Sequence, residues 1–177
     1  MGGRGVESAA GTTREHWASV RALVRDADGV ARVEVLYRTG GLGDGIFARA
    51  DLLDDGAHGD GEADDGVYGG TIPAFPRGSR VAFYISARDS RLATRTFPVE
   101  APERLLLYSV EAPVSTAIHL ARLNLPDESE AELGAREATQ LHSDQLVDAS
   151  FTLDDEEIYY NVGVRYHGSP WNRPPQP

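Results

Sequence analysis

Between Asp51 and Tyr68 the chain reads DLLDDGAHGDGEADDGVY, seven carboxylates and four glycines with no Lys or Arg. Packed anions repel one another and need water or a bound cation. Oxygen-only ligands on a glycine-rich backbone suit a hard ion such as Ca²⁺. One reading is therefore a metal-stiffened loop on a β scaffold. Asp54, Asp55, Asp60, Glu62, Asp64 and Asp65 would supply the oxygens, helped by backbone carbonyls. The spacing is not that of an EF-hand, because Gly66 falls one residue late and the flanks read as strands. The other reading is a solvated turn cluster, in which Asx-turns and left-handed glycines account for every residue. His58 lies inside the stretch. As a ligand it would favour Zn²⁺ or a transition ion, whereas the oxygens around it favour Ca²⁺.

The flanks alternate with period two, the mark of half-buried strands. Val20, Ala22 and Val24 share a face, and Asp26-Ala27-Asp28-Gly29 supplies turn chemistry. Ala31, Val33, Val35 and Tyr37 alternate with Arg32, Glu34 and Arg38 until the Gly-rich segment 40–45. Ala48, Ala50 and Leu52 lead into the acidic stretch. Tyr68 to Ile72 is expected to be a brief strand closed by Pro73. Val81, Phe83, Ile85 and Ala87 form the clearest strand, and residues 94–99 can close the sheet. Short strands with frequent turns over roughly 80 residues predict a small Ig-like β-sandwich, with a small barrel as competitor.

The expected organisation is a disordered start over residues 1–17, the sandwich over 18–99, a linker over 100–113 holding a strand at 105–110, and a second unit over 114–177. In that unit, Ile118 to Leu125 reads as a strand. Pro126-Asp127-Glu128 opens a short helix over 130–138, and residues 149–166 read as a hairpin. The unit has too little apolar surface to be a complete domain. The fold class is thus mainly β, a sandwich followed by an incomplete α+β segment.

Composition removes whole classes of function. The net charge of −11 argues against nucleic acid and anionic membrane surfaces as partners. There is no Cys, hence no disulfide, thiolate metal site or Cys nucleophile. All 17 basic residues are Arg, so no Lys can form a Schiff base or contact a phosphate. No apolar run approaches the ~20 residues of a membrane helix, and no signal peptide is visible.

Two stretches resemble a known family. DDGAHGDGEADDGVYGGTIP from Asp54 to Pro73, followed by VAFYISARDS from Val81 to Ser90, is similar to the Ig-like module that precedes CotH domains in bacterial surface proteins. YYNVGVRYHGS, from Tyr159 to Ser169, resembles the opening hairpin of the spore-coat CotH kinase-like family. The resemblance implies an accessory sandwich followed by the N-lobe start of an atypical kinase-like fold that binds ATP and Mg²⁺. It also implies an extracellular or cell-surface setting. His167 stands where the family carries a basic residue, and Ser169-Pro170 replaces its Asn-Ser-Ser run. No catalytic residue of the family can be placed on this sequence, because the family's Lys-bearing strand and metal carboxylates lie beyond that run. The chain is expected to be a noncatalytic fragment whose sandwich spaces or presents the C-terminal portion. The alternatives are part of an atypical protein kinase, or a carbohydrate- or peptide-binding surface module with glycan or protein partners.

Arg165 is the one candidate for nucleotide binding. In the intact family fold it could face the cleft and clamp a phosphate, or it is a surface Arg paired with an acid such as Asp154 or Glu156. His16, His119 and His142 are scattered, with no i, i+4 pair for zinc. Residues 154–157 fall in a hairpin turn, where solvation explains four acids better than acid–base chemistry does. Trp171 could stack on a sugar or a peptide.

Overall fold

The computed structural model describes residues 16–39, 45–112, 118–139, 144–154 and 157–166. Residues 1–15 of the expected disordered start, His142 and Trp171 lie outside these residues, whereas residues 16 and 17, expected to be disordered, open the first strand. The described chain is mainly β, with ten strands in antiparallel sheets and one short helix.

The central sheet is built on the two most clearly alternating segments. β2 (Val30–Thr39) and β5 (Arg80–Asp89) pair antiparallel, with Val35 opposite Ile85 and Tyr37 opposite Phe83. β3 (Ala48–Leu52) adds to the far edge of β2. The far edge of β5 is shared: β6 (Thr94–Phe97) pairs with its C-terminal half and β7 (Leu106–Ser109) with its N-terminal half. Alternation sorts the side chains. Val33, Val35, Tyr37, Val81, Phe83 and Leu106 bury on one face, whereas Ala82 and Leu107 bury on the other beside Phe47 and Tyr84.

A two-stranded ribbon, β1 (His16–Leu23) with β4 (Val67–Phe75), contributes Val20 and Ile72 to the first face. The sequence pattern ends β4 at Pro73, yet the strand runs on to Phe75. The register explains this. Ala18 lies opposite Ile72 and His16 opposite Phe75, so Pro73 lies in a bulge where no ladder N–H is required.

The remaining strands form a separate antiparallel sheet in the order β8 (Ala121–Asn124), β9 (Val147–Leu153), β10 (Glu157–Val164). The helix α1 (Asp127–Thr139) opens with Asp127, Glu128 and Glu130, which complement the N-terminal dipole. It opens at the Pro126-Asp127-Glu128 signal read from the sequence and takes in the expected 130–138. Leu123, Phe151 and Tyr159 form a cross-strand row on this sheet, with Leu123 and Tyr159 47% and 49% exposed. β10 is bulged between Tyr159 and Val162, where Asn161 takes a φ of 55°.

This second sheet is fastened to the first body. Ile158 and Tyr160 pack against the main core, and the Tyr160 ring meets Phe97 edge-on at 4.8 Å. Ser109 Oγ donates to Asn124 Oδ1 at 2.6 Å, and Asn124 Nδ2 donates to Thr152 Oγ1 at 3.2 Å in the interior. Arg104 forks to Asn161 Oδ1 at 2.7 Å and Asp148 Oδ2 at 3.1 Å. Arg80 reaches Asp127 and Glu130 in the first turn of α1.

Candidate functional site

The acidic loop leaves β3 at Leu52 and re-enters the sheet at Val67. Its base is closed by mutual backbone hydrogen bonds of 2.8 Å between Leu53 and Gly69. All four of its glycines adopt positive φ, from 72° to 117°, and Asp64 joins them at 63°. A chain that turns this often in the left-handed region needs Gly, with Asp or Asn as the tolerated exceptions.

Asp60 is the centre of the loop and is fully buried. Its Oδ2 accepts the N–H of Asp55 at 2.6 Å and of Gly56 at 2.7 Å, and its Oδ1 accepts the N–H of His58 at 3.0 Å. These donors, Gly56 foremost, hold its carboxyl below the usual carboxylate value despite desolvation. Arg21 on β1 donates to the Asp60 carbonyl at 3.2 Å. Asp54 closes the other end by accepting Gly66 N–H at 2.9 Å and Asp65 N–H at 3.2 Å. Asp55 accepts from Ala57 N–H at 3.0 Å and sits 2.9 Å from His58 Nδ1. That contact lowers the Asp55 carboxyl and raises the His58 imidazole. Asp65 Oδ1 accepts Val67 N–H at 2.8 Å.

Asp54, Asp55, Asp60 and Asp65 thus serve as acceptors for the loop's own backbone. Asp54 and Asp64 also line a small cleft of about 220 Å³ with Asp51, Arg32 and Tyr68. Desolvation, then the nearby Asp54 and Asp64 charges, raises the Tyr68 phenol. Glu62 is exposed at the loop surface.

Two glycines outside the acidic stretch make the loop possible. A Cβ on Gly69 would lie 2.5 Å from the His58 carbonyl oxygen and 2.8 Å from the Asp60 nitrogen. A Cβ on Gly70 would lie 2.7 Å from Leu52 Cδ2. The loop folds back onto bare backbone, a close approach that only Gly allows.

A second acidic group is one that sequence reasoning missed. Asp26, Asp28 and Asp89 place carboxylate oxygens within 4.8 Å of one another, a geometry that could hold a metal ion. Asp26 and Asp28 were visible as turn residues. Asp89 arrives from the end of β5, through pairing of β2 with β5, and no local signal announces it. Its Oδ1 accepts Arg91 N–H at 2.9 Å and Ala93 N–H at 2.8 Å, and Arg91 pairs with Asp28 at 2.9 Å. The group therefore already has hydrogen-bond donors and a counter-charge.

Arg165 pairs with Asp144, an acid just ahead of β9. Glu156 lies outside the described residues. Asp154 instead accepts Leu120 N–H at 2.7 Å and contacts His119 Nδ1 at 2.7 Å. That contact lowers the Asp154 carboxyl and raises the His119 imidazole. Among the described residues no helix is long and apolar enough to cross a membrane. The chain matches no protein-family model and no curated protein.

Proposed function

We propose that this chain is a noncatalytic β scaffold. Strands β1–β7 act as an Ig-like sandwich that spaces or presents the β8–β10 segment on a bacterial surface or secreted protein, the role that the resemblance to CotH-associated modules implies. The observation that carries the reading is the shared core: Ile158 and Tyr160 of β10 pack on the same cluster as Val35 and Phe83. Arg104 and Arg80 tie the same two parts together at the surface. A spacer must hold its cargo at a fixed angle, and packed aromatics with a buried Ser–Asn–Thr chain do so better than a flexible linker. The acidic loop is a brace within this scaffold, held by Asp60.

Calorimetry tests the reading. Unfolding should be one transition, and the paired change Arg104→Ala with Tyr160→Ala should split it or broaden it. Two independent transitions in the unaltered protein would refute a rigid spacer. Labelled ATP with Mg²⁺ should give no phosphoryl transfer, and robust transfer would favour the kinase alternative instead.

A further inference from the structure

An Asp-Gly step rearranges without an enzyme more readily than other aspartyl steps. The glycine nitrogen attacks Cγ of the preceding carboxyl, one water leaves, and a five-membered succinimide closes. Glycine has no Cβ to obstruct that approach. Water then opens the ring at either carbonyl. One opening restores Asp; the other leaves isoaspartate, in which the main chain runs through Cβ and Cγ. The water lost is regained, so mass is unchanged and no oxidant enters. Four such steps lie among the described residues: Asp28-Gly29, Asp55-Gly56, Asp60-Gly61 and Asp65-Gly66. The three in the acidic loop are pinned by its hydrogen bonds. The Asp55 carboxyl is engaged by His58 at 2.9 Å and by Ala57 N–H at 3.0 Å, and the Gly56 N–H, whose proton must leave, is held by Asp60 Oδ2 at 2.7 Å. Asp65 Oδ1 accepts Val67 N–H at 2.8 Å, and Gly66 N–H is held by Asp54 Oδ2 at 2.9 Å. The Asp60 carboxyl is fully buried under three N–H donors. Ring closure also runs through the protonated carboxyl. His58 for Asp55, and the Gly56 N–H for Asp60, depress both acids and keep that form scarce.

Asp28-Gly29 is held more loosely. It lies in the turn between β1 and β2, where Gly29 takes a φ of 84°. The Gly29 N–H makes a longer bond, 3.2 Å to the neutral carbonyl of Asp26. The Asp28 carboxyl meets Arg91 at 2.9 Å, but the Arg91 side chain is 76% exposed, and ion pairs so exposed are screened and weak. We propose that Asp28 is the position at which this chain acquires isoaspartate, and that the acidic loop, which holds the other three steps, is spared by its own hydrogen bonds. The consequence is local. The Gly29 carbonyl accepts Ser90 N–H at 3.0 Å and the Ser90 hydroxyl at 3.3 Å. One more methylene in the main chain ahead of Gly29 displaces that carbonyl and unfastens the turn from the end of β5.

The test ages the whole chain for weeks in warm, mildly acidic buffer. Isoaspartate is counted by labelled methyl transfer from S-adenosylmethionine with a protein isoaspartyl methyltransferase, and placed by electron-transfer fragmentation of the digested peptides. The peptide bearing Asp28 should gain about tenfold more than those bearing Asp55, Asp60 or Asp65, since reaction in a pinned segment waits on local opening. In concentrated urea the four steps should react at similar rates. Asp54→Ala frees the Gly66 N–H and should raise the label at Asp65, leaving that at Asp28 and the far-UV dichroism unchanged. As much isoaspartate in the folded loop as at Asp28, or none at Asp28, overturns the proposal. So does an equal preference for Asp28 in urea, which would assign it to local sequence rather than to the fold. A folded Asp54→Ala variant that stays silent at Asp65 likewise overturns it, because hydrogen bonds would then not be what spares the loop. If that variant unfolds, the urea comparison on the unaltered chain decides.

Discussion

The carboxylate of Asp60 accepts the backbone N–H of Gly56 at 2.7 Å from a fully buried position. An acid normally sits at the surface of such a loop, and here it is the core around which the loop winds. Asp60→Ala should release three backbone donors at once. A buried donor left unsatisfied is costly, so thermal melting should fall markedly, and exchange at residues 55–58 should accelerate. Asp60→Asn, with one acceptor oxygen in place of two, should fall between the two.

Acid should loosen the same loop. The Asp60 carboxyl is depressed below 3.8, chiefly by the Gly56 N–H. Its contribution is therefore complete above pH 3.8 and lost as pH falls through the folded value. Exchange at the amides of residues 55–58, followed from pH 5 downward, checks this. Exchange that stays flat on this descent, after correction for intrinsic rates, would contradict it.

Gly69→Ala should displace the acidic loop even though residue 69 carries no function of its own. The added methyl would meet His58 and Asp60 backbone atoms at under 3 Å, and overpacking of this kind costs about 1–3 kcal/mol. Chemical denaturation should show that loss. Gly78→Ala, where nothing lies within 4 Å but φ is +82°, tests backbone strain without a clash.

Tyr108→Phe should be neutral or stabilising by up to about 1 kcal/mol, since it removes a buried hydroxyl that has no hydrogen-bond partner among the described residues. Burial pushes that phenol up to about 12, so alkaline difference spectra should show a late tyrosine step. The Phe variant should lack this late step.

His119 and Asp154 join the approach to β8 with the end of β9. The imidazole is raised above 6.5 and the carboxyl lowered below 3.8, each by its hydrogen bond to the other. The contribution of the pair is complete between these two values. It is lost on the alkaline side as pH rises through the folded His value, and on the acid side as pH falls through the folded Asp value. His119→Gln should therefore narrow the difference in stability between pH 6 and pH 9. The effect should be small, because the pair is solvent-exposed and screened by salt.

Calcium separates the two readings of the loop. If backbone N–H groups satisfy the carboxylates, EDTA should leave melting unchanged and added Ca²⁺ should raise it little. A saturable rise with Ca²⁺ that disappears in Asp64→Asn would give the loop to the ion.

The strands were legible because Val33, Val35, Tyr37, Val81 and Phe83 obey a period that only a half-buried sheet requires. The turn at Asp26–Gly29 was equally plain. What sequence could not supply were facts of tertiary convergence. Asp60 looks like its acidic neighbours, yet it alone among them is buried, because Gly69 lets the loop collapse onto β4. Asp89 meets Asp26 only through strand pairing. The Arg165–Asp144 pair depends on how the residues just ahead of β9 approach β10. Pro73 misled for a non-local reason, since the bulge that admits it arises from pairing with β1.

The crowding at Gly69 and Gly70 bears on how this loop could be inherited or transplanted. Moving residues 53–66 onto another hairpin would fail unless the two bare positions of β4 travelled with them, because a side chain at 69 would occupy the seat of Asp60 and one at 70 would meet Leu52 and the Asp51 carbonyl at the loop's root. The acidic stretch and the double glycine are thus one module, and recombination between them would yield chains that keep the charges but not the shape.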